Sequence, residues 1–196
     1  VTFNINWGYS STSPCQGDCV EQASLSYSTV IGHPSILIWD PSVEHQSGER
    51  LVDFLNQNNI QGYEYIQSPE IQSVENYNTA FILLGVYPNN YVIQDNQSDA
   101  FISLLNNGGN IYMEGADTWA FDSQTSLHDY FGLTGEADGS SDLSSISGFS
   151  QTFTEGFSFS YNGDNSYIDR IVPTGGFSIL KNNDPEYTTA VAYENT

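Results

Sequence analysis

Four short apolar runs, separated by polar stretches that carry their own start and stop signals, organise the middle of the chain. Ile36-Leu37-Ile38-Trp39 is apolar throughout and ends at Asp40-Pro41, the pattern of a strand buried on both faces in a parallel sheet. After a polar turn, Leu51, Val52 and Leu55 fall on one helical face and predict a helix from a Ser47 cap to about Asn58. Gly62 stops that connection, and Tyr63-Glu64-Tyr65-Ile66 reads as a second strand. Ser68-Pro69-Glu70 is a helix-start signal with Pro at the first position, and predicts a short crossover. The run from Thr79 to Gly85 is a third strand. Ser98 or Asp99 then opens a helix carrying Ala100, Phe101, Leu104 and Leu105, closed by Gly108-Gly109. Asn110 to Gly115 is a fourth strand, and a further helix is predicted near Thr125 to Phe131. Strand alternating with helix predicts an α/β fold with a doubly wound, mostly parallel sheet, because parallel neighbours need crossover connections.

The flanks read differently. Val1-Thr2-Phe3-Asn4-Ile5-Asn6-Trp7 alternates apolar and polar residues, the period of a half-buried strand, and is followed by a Ser- and Pro-rich loop to Cys19. Residues 1–34 are therefore expected to form a β-strand arm or linker, with the main domain over 35–196. Beyond Gly132 the segment Glu136 to Ser150 is rich in Gly, Ser and Asp, while Phe153, Phe157, Phe159 and Tyr161 alternate with polar residues, predicting a β-hairpin or β insertion. Thr188 to Tyr193 reads as one more core strand.

Charge narrows the range of partners. The chain of 196 residues has 24 Asp and Glu against three Lys and Arg, a formal charge of −21. Such a surface repels nucleic acid and anionic membranes and leaves almost no cations to hold a phosphorylated ligand. No apolar run reaches the ~18 residues of a membrane span, so membrane insertion is not expected. Eleven Phe and thirteen Tyr mark a folded chain rather than a disordered acidic one. The acidic balance favours divalent cations and suits a secreted or cell-surface protein. Cys15 and Cys19 stand in a polar loop without a His or third Cys nearby, which argues against zinc; the expected state is a tight disulfide, the alternative two unpaired thiols.

The strand ending in Asp40-Pro41, the run FILLG at 81–85, the segment LLNNGGNIYMEGAD at 104–117 and the late AVAYEN at 190–195 together resemble the class I glutamine amidotransferase-like (flavodoxin-like) domains of large secreted bacterial proteins. The resemblance covers roughly residues 35–195. It implies a nucleophile elbow after the fourth strand, where an active amidotransferase has Cys before x-Gly. Here the matching residues are Tyr112-Met113-Glu114-Gly115, without a thiol or hydroxyl at the turn, so the fold is expected without its chemistry. The same likeness implies that a further strand and a terminal helix would follow the Ala-Tyr strand, so the domain is expected to be C-terminally incomplete.

Several acidic sets could carry chemistry. Asp40, Glu114 and Asp117 are predicted at the carboxyl ends of parallel strands, where ligands favour open α/β sheets, and could hold a hard cation; their alternative role is to cap turns and helix starts. Glu136, Asp138 and Asp142 around a Gly turn could wrap calcium, or form a solvated acidic loop. Calcium is thus the one cofactor the residues suggest. His33, His45 and His128 are too scattered for a metal triad, and His128-Asp129 lacks an accompanying Ser or Cys elbow. The first strand is not followed by a phosphate-binding G-x-G-x-x-G. Asn96-Gln97-Ser98 is a complete glycosylation sequon. Trp7, Trp39, Trp119 and the many Tyr could stack on glycans or fill the core.

The function expected from these readings is a non-catalytic extracellular structural or interaction domain. In one version it self-assembles into a fibre or homo-oligomer through an assembly strand of Val1, Phe3, Ile5 and Trp7, or joins neighbouring domains of a larger chain. The alternative is an accessory carbohydrate- or peptide-binding domain of a secreted hydrolase, and a weaker one is a metal-dependent enzyme.

Overall fold

The computed structural model describes residues 32–194, and residues from Pro34 onward belong to one compact unit. Its first half is a parallel sheet of β1 (Ile36–Trp39), β2 (Tyr63–Ile66), β3 (Thr79–Leu83) and β4 (Asn110–Glu114), in the order β2-β1-β3-β4. Alternation sends the two residue sets of each strand to opposite faces. Leu37, Trp39, Ala80 and Ile82 pack with Phe101 and Leu104 of helix α2 (Asp95–Asn106). Ile38 and Leu83 pack instead with Leu55 of helix α1 (Gln46–Gln57), joined by Leu51 and Val52. The uninterrupted apolar runs of β1 and β3 exist because both faces of these two central strands are covered.

Helix α2 begins earlier than Ser98, because Gln97 reaches back so that its Oε1 accepts the Gln94 N–H at 2.8 Å and closes the first turn. Ser68-Pro69 does not start a helix. The Ser68 hydroxyl accepts the Glu70 N–H at 3.1 Å in a local turn, and only a 3-10 turn at Val74–Asn76 follows before β3. Thr125 to Phe131 likewise forms a 3-10 helix, Ser126–Phe131.

The doubly wound α/β expectation for residues 35–196 is wrong. The parallel sheet ends at β4, and everything beyond it is antiparallel. Strands β5 (Leu133–Ala137) and β8 (Arg170–Pro173) make a two-stranded sheet, and β6 (Ser145–Gly148), β7 (Ser158–Ser160), β9 (Phe177–Asn183) and β10 (Glu186–Ala192) make a four-stranded sheet in the order β10-β9-β6-β7. The strand over Thr188–Tyr193 therefore does not extend the parallel sheet. Asn183 and Glu186 face one another across Asp184-Pro185, and so short a link permits only antiparallel pairing. Among the described residues the only α-helices are α1 and α2, so no helical crossover exists after β4. The predicted β insertion is part of this antiparallel half, although Phe153 lies in a turn, Phe157 just before β7, and only Phe159 is on a strand.

Asn182 knits the antiparallel half together. It is fully buried on β9; its Oδ1 accepts the Ser144 N–H at 3.0 Å, and its Nδ2 donates to the carbonyls of Asp142 at 3.2 Å and Pro185 at 2.8 Å. One side chain thereby satisfies backbone groups of the β5–β6 loop and of the β9–β10 turn, groups that would be expensive to bury unpaired.

Candidate ligand-binding cleft

The carboxyl ends of β1, β3 and β4 face the antiparallel half across a cleft of about 780 Å³. Asp40 and Tyr87, which follow β1 and β3, and Glu114, the last residue of β4, line it together with Trp119 and with Phe159, Tyr161 and Asp169 of the antiparallel half. Gly85 makes the approach possible. Its φ of +80° suits glycine, and a Cβ there would stand 2.8 Å from the Ser42 side chain, so the turns after β1 and β3 touch only because nothing is attached.

Asp40 is structural. It is fully buried, its Oδ1 accepts the Ser42 hydroxyl at 2.6 Å, and its Oδ2 accepts the Gly48 N–H in the first turn of α1 at 3.0 Å. The Oδ1 also lies 3.5 Å from His45 Nδ1. Ser, His and Asp thus meet here, but in an order that cannot activate a nucleophile: Ser42 Oγ donates to the carboxylate and accepts the His45 backbone N–H at 3.3 Å, with no imidazole nitrogen placed to take its proton. Asp40→Ala is expected to lower the unfolding free energy by about 2–3 kcal/mol, because charge-assisted bonds to a hydroxyl and a helix N–H are lost in the interior. Urea titration measures it; a loss below about 0.5 kcal/mol would show that the β1–α1 turn holds without the carboxylate.

The two expected metal sets are not assembled as sets. Asp40 is occupied as described, and Glu114 accepts the Tyr112 hydroxyl at 2.7 Å. Asp117, 3% exposed, accepts the Tyr87 N–H at 3.0 Å, which joins the turns after β3 and β4. In the second set, Asp142 forms an ion pair with Arg170 at 2.5 Å and accepts the Tyr187 hydroxyl at 3.1 Å, while the Arg170 guanidinium lies over the Tyr187 ring. Glu136 and Asp138 are exposed. Among the described residues no three His, Cys, Asp or Glu side chains form a group that could hold a metal ion as they stand.

The structure instead draws attention to Asp169, which the sequence reading passes over. Asp169 precedes β8 and is 6% exposed; its Oδ2 accepts the N–H groups of Trp119 and Ala120, both at 2.8 Å, and its own N–H donates to the Ala116 carbonyl at 2.7 Å. It fixes the segment after β4 against the antiparallel half. Burial first, then the charges of Asp117 and Asp138, raise its carboxyl to about 6, against the pull of the two N–H donors. Asp117 is raised by burial and by Asp138 and Asp164, and Asp122 by burial and Asp117.

His128 is a core histidine. It is 3% exposed and edge-on to Trp119; its Nδ1 accepts the Thr125 N–H at 3.0 Å, which leaves the proton on Nε2 for Thr118 Oγ1 at 3.1 Å. Burial lowers its pKa, so it is neutral at pH 7. Trp39 is core as well, whereas Tyr87 and Phe159 are about half exposed. Asn96 is exposed in the first turn of α2, and Ser98 of its sequon is buried with its hydroxyl accepting the Leu127 N–H at 3.0 Å. Cys15, Cys19 and the strand of Val1, Phe3, Ile5 and Trp7 lie outside the described residues. Among the described residues no helix is long and apolar enough to cross a membrane. No protein-family model matches this chain, and neither the curated proteins nor the solved structures contain a match to it.

Proposed function

We propose that this chain is a non-catalytic extracellular binding domain whose cleft holds a neutral oligosaccharide. The observation that carries the reading is the composition of the cleft wall. Tyr87, Phe159 and Tyr161 offer aromatic surface beside the amides of Asn89 and Asn162 and the carboxylates of Glu114 and Asp164. Sugar rings stack their C–H faces on aromatic rings, while side-chain oxygens and amides bond the hydroxyls, and such a mixture is typical of polar ligand sites. Charge excludes the anionic alternatives. Arg50 is the cleft's sole Lys or Arg; Arg170 is held by Asp142 and Lys181 by Glu186 at 2.5 Å. The absence of a thiol at Glu114-Gly115, and the inverted order of Ser42, Asp40 and His45, support binding without turnover.

Self-assembly through Val1 to Trp7, one version of the structural or interaction domain expected from sequence, falls on residues outside the described ones. The experiment that tests the carbohydrate reading is a glycan array with the whole chain in chelator-containing buffer, followed by calorimetry on the best ligand. Tyr87→Ala and Phe159→Ala are each expected to weaken binding roughly tenfold, equivalent to about 1.4 kcal/mol. An array without specific signal, or affinity unchanged in both variants, would overturn it.

A further inference from the structure

The segments after β1, β3 and β4 are laced into one rim. The Val43 N–H donates to the Asn89 carbonyl at 3.0 Å and Asn89 Nδ2 donates to Glu44 Oε1 at 2.8 Å, so the turn after β1 is fixed to the turn after β3. On the other flank Asn90 Nδ2 donates to Asp122 Oδ2 at 2.8 Å and the Tyr87 N–H to Asp117 Oδ2 at 3.0 Å, which holds the segment after β4 in place. The rim presents three apolar side chains to solvent: Val43 is 70% exposed, Phe121 58% and Tyr87 57%. The Tyr87 and Phe121 rings meet edge to face, their centroids 6.0 Å apart. Tyr87 also borders the cleft, but Phe121 and Asp122 do not, so this ledge extends beyond the cleft's lip. Adjoining exposed aromatics rimmed by polar groups mark a surface that a partner covers.

What it accepts is indicated elsewhere in the same fold. The Arg170 guanidinium lies 4.5 Å from the centre of the Tyr187 ring while Asp142 takes its charge at 2.5 Å. The ledge carries the other two parts of that trio, aromatic rings and a neighbouring carboxylate, without the cation. The chain has none to spare: Arg170 is held by Asp142, Lys181 by Glu186, and Arg50, on α1, borders the cleft. We propose that the Tyr87–Phe121 ledge docks a basic segment of a partner protein, with an arginine of that segment seated on the two rings and paired with Asp122. Asn90 engages one Asp122 oxygen and so fixes the carboxylate, leaving the other for the guanidinium. Glu44, exposed on the opposite flank and positioned by Asn89, faces a second cation. Charge selects this occupant over a second copy of the chain, because two molecules of charge −21 repel and neither brings a free cation to the rings, whereas a basic segment is drawn in by the whole field. Arginine is favoured over lysine, since its planar group stacks on a ring while bonding a carboxylate. The inference does not rest on the carbohydrate reading.

The test is calorimetric titration of the whole chain with a short amidated peptide of alternating arginine and glycine, and with its lysine counterpart, at pH 7.5 in 150 mM NaCl, with amide shifts mapped on the labelled chain. Saturable binding is expected, about threefold weaker for the lysine peptide, with shifts centred on Glu44, Tyr87, Asn90 and Asp122. Phe121→Ala removes no charge and, at an exposed position, does not threaten folding; it is expected to weaken binding about fivefold. Asp122→Asn keeps the acceptor for Asn90 and should weaken it in the same sense. Glu155→Gln removes an equal charge from the exposed loop between β6 and β7 and should leave the affinity unchanged. Absence of saturable binding, an affinity indifferent to Phe121→Ala, or equal losses from Asp122→Asn and Glu155→Gln would reduce the effect to a polycation on a diffuse acidic surface and overturn the site. Self-association in sedimentation that Phe121→Ala abolishes would overturn it too, by assigning the ledge to a second copy.

Discussion

Trp39→Ala is expected to lower the unfolding free energy by about 4 kcal/mol, a large share of the 5–15 kcal/mol typical of a domain. Trp39 is fully buried at the end of β1, with its ring 5.3 Å from Phe101 and 5.5 Å from Tyr91 between centroids. The substitution leaves a large apolar cavity between the parallel sheet and α2. It also orphans a polar group, because Trp39 Nε1 donates to the Ser68 carbonyl at 2.9 Å and fixes the turn after β2. Trp39→Phe separates the two effects: most of the ring volume survives while the bond is lost, and a decrease of about 1–2 kcal/mol is expected. Urea midpoints with unchanged slopes give both numbers. Equal losses in the two variants would place the whole effect in the hydrogen bond, and a Trp39→Ala loss under 2 kcal/mol would contradict the packing.

Stability of the protein is expected to rise as the pH falls from 7.5, by about 1 kcal/mol at pH 5.5 and about 2 kcal/mol at pH 4.5, from Asp169 alone. The folded carboxyl titrates near 6, above its ordinary 3.8. Between those values the folded state holds a proton that the unfolded chain has released, so the unfolding free energy decreases as the pH rises through that window. Asp117 and Asp122, also raised, act in the same direction, as does relief of the −21 charge. His128 opposes them. Its pKa is lowered by burial, so its contribution is complete above the unfolded value of about 6.5 and is lost as the pH falls through the folded one. Urea titrations at the three pH values measure the slope, and Asp169→Asn should flatten it. A wild-type stability that declines steadily below pH 7.5, or a slope that survives Asp169→Asn, would show that the buried carboxyl is not the controlling group.

The parallel half was legible because its two central strands, β1 and β3, are covered on both faces. Leu37 and Trp39 serve α2 while Ile38 serves α1, and that demand writes unbroken apolar runs into the sequence. Start signals were less reliable. Ser68-Pro69 carries the residues of a helix start, but the Ser68 side chain closes a turn on itself, and α2 is capped by a pair of glutamines that no common capping pattern announces. The antiparallel half was misjudged because Thr188 to Tyr193 has strand composition without a mark of its partner. The partner was decided by the two-residue link to β9, a strand that had not been recognised. Of the candidate site, Asp40 follows β1 directly and bonds a first-turn N–H of α1, as a cap does, while Asp117, three residues past β4, bonds the Tyr87 N–H and joins two loops instead. Asp169 had no local signal. Its importance comes from the long-range approach of β8 to the segment after β4, which no spacing along the chain encodes.

Backbone amide shift mapping of the labelled chain with a soluble oligosaccharide, chosen from the array, tests the non-catalytic cleft most directly. The perturbed resonances are expected to cluster on both walls, at Tyr87 and Asn89 after β3 and at Phe159, Tyr161 and Asn162 around β7, while the saccharide's own spectrum stays unchanged over days. Shifts confined to a surface away from these residues, or the appearance of cleavage products in the sugar signals, would contradict it.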